Sequence, residues 1–174
     1  MSDSKHNNAC NVIVGLPYPP IQTESRQPEY AYAMLSNVGS SNSEMTAVSL
    51  YFYNSVILKL DYTYFAQCFH EISIVEMHHL DMFADLAFQM GLDPRLWSVE
   101  RRRKYYWTPA YNKYPRKIRE VIENSIKGEM AAIQKYTRQA ETIRDTNIVN
   151  ILNRIILDEQ RHIEIFHKML EQIP

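Results

Sequence analysis

The sequence predicts an all-α fold: a four-helix bundle made of two antiparallel hairpins joined by a long crossover and preceded by an irregular arm. Three observations carry this expectation. After Pro28, apolar residues recur at three- and four-residue steps. Only four glycines occur in 174 residues, few for the many turns of a sandwich or barrel. One short residue pattern occurs twice. At 45% hydrophobic residues, the length supports one buried core, divided into an arm over residues 1–28 and a bundle over residues 29–174.

The arm carries Gly15, Pro17, Pro19, Pro20 and Pro28 without a helical period, as expected of a segment lying on the surface or on a partner subunit. The first helix, from about Glu29 to Leu60, has the weakest pattern. NVGSSNS (37–43) interrupts it with poor helix formers, and Gly39 costs about 1 kcal/mol relative to alanine. The second helix places Phe65, Phe69, Ile72, Glu76, His79, Leu80, Phe83, Ala87 and Met90 on one face. The third starts near Pro115 and runs through Ile118, Ile122, Ser125, Glu129, Ile133, Tyr136, Ala140 and Ile143. The fourth is the clearest, with Ile148, Ile151, Leu152, Ile155, Glu159, His162, Ile163, Phe166, Met169 and Leu170 aligned. Short links at about 60–62 and near Thr146 close two hairpins. Residues 91–114 reach roughly 80 Å if extended, enough to cross the length of a bundle.

A net charge of −1 gives no reason to expect nucleic acid. The basic run RRRKYYW (101–107) reads as a solvated crossover loop. Cys10 and Cys68 form no Cys-x-x-Cys pair, which excludes a zinc ribbon or rubredoxin-like module within these residues. Cys68 reads as a buried thiol in a reducing compartment. Neither a signal-peptide core nor an apolar run of the ~18 residues needed for a membrane span is visible, so a soluble, cytoplasmic protein is expected, without a membrane partner.

SEMTAVSLY (43–51) and GEMAAIQKY (128–136) share Glu-Met-x-Ala-x-x-x-Tyr, and EMHHLDMF (76–83) and EQRHIEIF (159–166) share Glu-x-x-His. The first glutamate precedes the second by 32 residues in one half (44 to 76) and by 30 in the other (129 to 159), the signature of a duplicated hairpin. Taking helix 1 as continuous through Gly39, all four glutamates fall about fourteen residues into their helices, at one height. Four carboxylates in an apolar interior repel one another and lose solvation, so they must be neutral or paired with cations. The inner stripes offer no lysine or arginine at that height.

Two divalent metals balance Glu44, Glu76, Glu129 and Glu159, while His79 and His162, on the same faces, each ligate one metal as neutral imidazole. Tyr51 and Tyr136 lie two turns beyond Glu44 and Glu129 on the same face, where each reads either as a donor to a carboxylate ligand or as an ordinary core tyrosine. By helical geometry His70, His78 and His167 point away from the stripe, while Met45, Met77 and Met130 read as packing residues.

At these residues, over about 30–172, the chain resembles the ferritin-like dimetal carboxylate superfamily, which includes bacterioferritins, rubrerythrins and manganese catalases. The resemblance implies a ferritin-like bundle with six ligands: Glu44, Glu76, His79, Glu129, Glu159 and His162. It further implies that Glu44 or Glu76 chelates one metal, that Glu129 and a counterpart bridge, and that Glu159 lies near the second metal. The cofactor expected is two iron or two manganese ions. Haem is not expected, although Met77 stands where bacterioferritins bind it. Rubrerythrins usually carry a rubredoxin-type module and an extra glutamate in the third helix; no such module is visible here, and the position is Ala132. The implied function is an oxidoreductase acting on H2O2 or O2, catalase- or peroxidase-like, with an external electron donor in the latter case. The alternative is a ferroxidase with an iron-storage role. A homo-oligomer is expected.

Overall fold

The computed structural model describes residues 10–173; the first nine residues of the expected arm and Pro174 lie outside that range. The helices are α1 (Pro28–Gly39), α2 (Glu44–Ile57), α3 (Thr63–Gln89), α4 (Ile118–Thr142) and α5 (Thr146–Glu171); strands β1 (Trp97–Glu100) and β2 (Arg103–Tyr106) interrupt the crossover. α2 packs along α3, and α4 along α5, giving the expected pair of hairpins. At ~1.5 Å per residue, the 27, 25 and 26 residues of α3, α4 and α5 make rods of about 40 Å.

The continuous first helix is corrected. Pro28 occupies the first turn with Glu29, both favourable at a helix start, but the helix stops at Gly39 and restarts at Glu44. Two contacts explain the stop. The crossover passes so close to Gly39 that a Cβ there would lie 2.4 Å from the backbone nitrogen of Trp97. Lys135 of α4 fills the break, its Nζ donating to Ser36 O (2.9 Å), which also accepts from Ser40 N, and to Asn42 O (2.7 Å) in the link between α1 and α2.

The crossover is also more ordered than the expected loop. β1 and β2 pair antiparallel from Trp97↔Tyr106 to Glu100↔Arg103. The two-residue turn between them holds Arg101 and Arg102 at φ of 48° and 64°, the left-handed conformation that a primed hairpin turn requires. The basic run therefore builds a turn and a strand, and Lys104 places its ammonium 3.9 Å over the Trp97 ring. Beyond the hairpin, Trp107 Nε1 donates to Thr46 Oγ1 (3.0 Å) and Asn112 Nδ2 to Ser49 Oγ (2.8 Å), strapping the crossover onto α2.

The apolar core is two blocks with a polar layer between them. One gathers Leu50, Tyr51, Phe69, Ile72, Ile122 and Phe166. The other gathers Met34, Leu35, Phe83, Tyr136, Ile151 and Ile155. Met77 and Met130 take no part in either block: at 51% and 59% exposure they face outward, because the residue after an inward-pointing glutamate is rotated about 100° around the helix. His70, His78 and His167 are exposed, as expected.

The arm lies on the bundle and is joined to it covalently. Cys10 and Cys68 form a disulfide with Cα atoms 5.3 Å apart, so Cys68 is buried but is not a free thiol, and the expectation of a reducing compartment loses its basis. Further along, Arg161 Nε donates to Asn11 O, Arg154 to Val14 O and Leu16 O, and Gln89 Nε2 to Ile21 O. Glu24 N donates to Asp145 Oδ2 (2.7 Å), and Asp145 also caps α5 by accepting from Asn147 N and Ile148 N. Among the described residues no helix is long and apolar enough to cross a membrane.

Candidate metal centre

The polar layer collects the six residues expected from the sequence, one or two from each of α2, α3, α4 and α5. Glu44, Glu76, His79, Glu129, Glu159 and His162 are all at most 2% exposed. Despite the break before it, Glu44 reaches the layer from the first turn of α2. His79 Nδ1 lies 3.1 Å from Glu76 Oε2 and 3.3 Å from Glu159 Oε1. His162 Nδ1 lies 3.1 Å from both Glu159 Oε2 and Glu76 Oε1 and 3.5 Å from Glu129 Oε1. Both imidazoles therefore turn Nδ1 toward the carboxylates.

Two groups of donor atoms, each lying within 4.8 Å of one another, could hold a metal ion: Glu44, Glu76, His79 and Glu159 form one, and Glu76, Glu129, Glu159 and His162 the other. Glu76 and Glu159 belong to both. The carboxylates common to both groups are thus those of α3 and α5, while Glu44 and Glu129 each belong to one group. The donor set suits iron or manganese, which accept carboxylate oxygen and imidazole nitrogen. Glu76 Oε1 and Glu159 Oε1 are buried with only imidazole Nδ1 atoms of His162 and His79 close by and no well-formed hydrogen bond among the described residues, which suits oxygens that would bind a cation.

The protein's own charges leave this layer frustrated. Burial first, then the neighbouring Glu76 and Glu159, push Glu44 well above the usual carboxylate range, and burial with Glu159 and Glu76 does the same to Glu129. Burial opposes charge on Glu76 as well, but His162 and His79 outweigh it and hold Glu76 far below that range. The imidazoles are driven upward against burial, His79 by Asp158, Glu159 and Glu76, and His162 by Glu76, Glu129 and Glu159.

Tyr51 and Tyr136 each donate to a carboxylate of the opposite hairpin. Tyr51 on α2 donates to Glu129 Oε1 (2.5 Å), and Tyr136 on α4 to Glu44 Oε1. Burial, with the adjacent carboxylates, raises both phenols well above their ordinary value, keeping them protonated as donors.

Three residues around the layer were not singled out in the sequence. Asp158 and Arg154, both buried on α5, form an i,i+4 ion pair with 2.8 Å between Nη1 and Oδ1; Arg154 lies off the inner stripe, under the arm. The arm's Tyr18 donates to Asp158 Oδ2 (2.5 Å), whose other neighbour, at 3.3 Å, is His79 Nε2. Burial is the main cause that raises the Tyr18 phenol to about 12. The sequence held one visible signal: an acid directly before Glu159 with an arginine four residues earlier.

A cavity of about 300 Å³ between α2 and α4 runs from the exposed Lys113 and Lys127 to the buried Glu44, Glu129, Tyr51 and Tyr136. Gly128 on its wall has no heavy atom within 4 Å of where a Cβ would stand.

A buried centre of four carboxylates and two imidazoles midway along such a bundle defines a ferritin-like dimetal carboxylate protein. Residues 39–171 match the rubrerythrin family model, and the chain belongs to the rubrerythrin family. In fold it is similar to the crystal structure of wild-type KatB, a manganese catalase from Anabaena, with a TM-score of 0.75 and 20% identity over 91% of this chain and 78% of that one. A second KatB structure, from Anabaena PCC7120, gives a TM-score of 0.74 at the same identity and coverage. A search of curated proteins finds no match.

Proposed function

We propose that this protein is an oxidoreductase that acts on hydrogen peroxide at two iron or manganese ions held by Glu44, Glu76, His79, Glu129, Glu159 and His162. The observation that carries the proposal is the pair of buried four-residue donor groups sharing Glu76 and Glu159, reached from outside by a cavity sized for a small molecule. Rubrerythrin membership and the fold shared with a manganese catalase favour peroxide over iron storage.

The bound metal pair would supply Lewis acidity and a two-electron redox couple. The protein's own groups do the rest. Glu76 and Glu159, common to both donor groups, would contribute to holding both ions. Tyr51 and Tyr136 fix the orientation of Glu129 and Glu44 from the far hairpin and remain neutral. Glu44 and Glu129 line the inner end of the cavity, where an entering peroxide would first meet the ligand set. Ala132, where rubrerythrins usually carry a further glutamate, leaves that end of the cavity without a fifth carboxylate.

With peroxide as both oxidant and reductant, two molecules yield two waters and one O2 and no electron donor is needed. With a donor, one peroxide takes two electrons and two protons to give two waters. Metal analysis of protein purified from its own host, followed by peroxide challenge, tests the proposal. Oxygen release without a reductant assigns the catalase reaction, and peroxide loss only with a reductant assigns the peroxidase. Metal-replete protein that leaves peroxide untouched in both assays would overturn the proposal.

A further inference from the structure

The two metal positions have unlike surroundings, and Asp158 of α5 together with Tyr18 of the arm makes the difference. Asp158 directly precedes Glu159, and Val75 occupies the equivalent place before Glu76. Consequently His79 Nε2 faces Asp158 Oδ2 at 3.3 Å and Tyr18 Oη at 3.4 Å, whereas His162 Nε2 has no partner among the described residues. An imidazole whose outer nitrogen is hydrogen-bonded has its ring orientation and tautomer fixed, with the inner nitrogen presented to the metal; a ring without that bond does not.

Tyr18 is placed for this purpose by several contacts. Its ring lies under the Arg154 guanidinium, with 4.3 Å from Cζ to the ring centroid. Arg154 in turn binds Val14 O and Leu16 O, each at 2.9 Å, and Val14 N donates to Asp158 Oδ1 at 2.9 Å. The strand of arm carrying Tyr18 is therefore docked on the same carboxylate that Tyr18 addresses, and Cys10–Cys68 holds its start to α3. Asp158 thus receives Val14 N and Arg154 on one oxygen and Tyr18 on the other, the second being the oxygen that faces His79.

We propose that Tyr18 is a positioning residue, acting through Asp158 on His79, which makes the metal position at Glu44, Glu76, His79 and Glu159 bind more tightly than the one at Glu76, Glu129, Glu159 and His162. This rests on the dimetal reading above. The arm is then part of the centre, although none of its described residues belongs to either donor group.

The test is stepwise Mn(II) binding to the metal-free full-length protein, wild type against Tyr18→Phe, followed by the electron paramagnetic resonance signal of free Mn(II) against a competing chelator. Wild type is expected to take up two equivalents with unequal constants. In Tyr18→Phe the ratio of the two constants is expected to shrink by about tenfold, the scale of effect when a metal-bound histidine loses its outer support. Asp158→Asn, which keeps the shape but weakens the acceptor, is expected to shrink the same ratio. An unchanged ratio in both variants, or two constants reduced by one common factor alongside a lower melting temperature, would show Tyr18 to be structural only and overturn the inference. Two equal constants in wild type would overturn it as well while leaving the dimetal reading intact; wild type binding no pair of ions at all would remove the dimetal reading itself.

Discussion

Tyr51 on α2 and Glu129 on α4 are joined by a 2.5 Å hydrogen bond across the two hairpins, and Tyr136 on α4 returns the same bond to Glu44 on α2. Each hairpin's tyrosine thus holds the other hairpin's carboxylate. Tyr51→Phe keeps the ring that packs against Phe69 and Phe166 and removes only the donor. Metal content is expected to stay at two ions per chain, while peroxide turnover falls about tenfold and stability drops by roughly 1.5–3 kcal/mol. Metal analysis, steady-state kinetics and urea unfolding on one preparation check this; full activity would reduce Tyr51 to a packing residue.

The centre was legible in the sequence because a helix converts spacing into position: Glu76 and His79, or Glu159 and His162, share a face whatever surrounds them. The duplication then supplied the second half. What stayed hidden depended on contacts distant along the chain. Gly39 ends α1 because Trp97 passes against it, and the hairpin turn uses Arg101 and Arg102 where Asn-Gly would have been the usual signal. Asp158 looks like one more surface acid until Tyr18, 140 residues earlier, is placed beside it. The partner of Cys68 likewise lies 58 residues away, in a segment with no periodic pattern to place it.

Metal loading is expected to release protons. Without metal, Glu44 and Glu129 are raised by burial and by neighbouring carboxylates, and His79 and His162 are raised by the carboxylates they face, so all four favour their protonated forms. Each must lose its proton to donate to a cation, so affinity rises with pH. Release of about two protons per metal ion corresponds to roughly a hundredfold gain in affinity for each ion per pH unit. Calorimetric titration in buffers of different ionisation enthalpy measures the proton count directly. An affinity that is flat between about pH 6 and pH 8 would contradict the charge balance described for the layer.

Two glycines are expected to respond oppositely to alanine. At Gly128, within α4, a Cβ meets nothing within 4 Å, so Gly128→Ala is expected to gain about 0.5–1 kcal/mol from helix propensity alone, with metal content unchanged. At Gly39 the same change drives a Cβ to 2.4 Å from Trp97 N and 2.7 Å from Leu96 C, both backbone atoms that move only with the crossover. Gly39→Ala is therefore expected to lose at least about 2 kcal/mol by overpacking. Thermal and urea unfolding of the two variants provide the comparison, and a neutral Gly39→Ala would mean that the crossover is free to shift away.

The Cys10–Cys68 disulfide closes a loop of sequence separation 58, which in the chain-entropy account corresponds to about 4 kcal/mol of stabilisation through the unfolded state. Part of that account can be separated from the local contacts, because the arm keeps its hydrogen bonds to Arg154, Arg161, Gln89 and Asp145 when the sulfurs are parted. The double variant Cys10→Ala, Cys68→Ala is accordingly expected to fold with the arm in place and to unfold at lower urea, with stability reduced by about 2–4 kcal/mol. Dithiothreitol is expected to lower wild-type stability toward the same value and to leave the double variant unaffected. Hydrogen exchange separates the two effects: amides of Val14 and Glu24 stay protected if the noncovalent contacts suffice to dock the arm. Their loss of protection on reduction would mean instead that the disulfide itself keeps the arm, and Tyr18 with it, against α5.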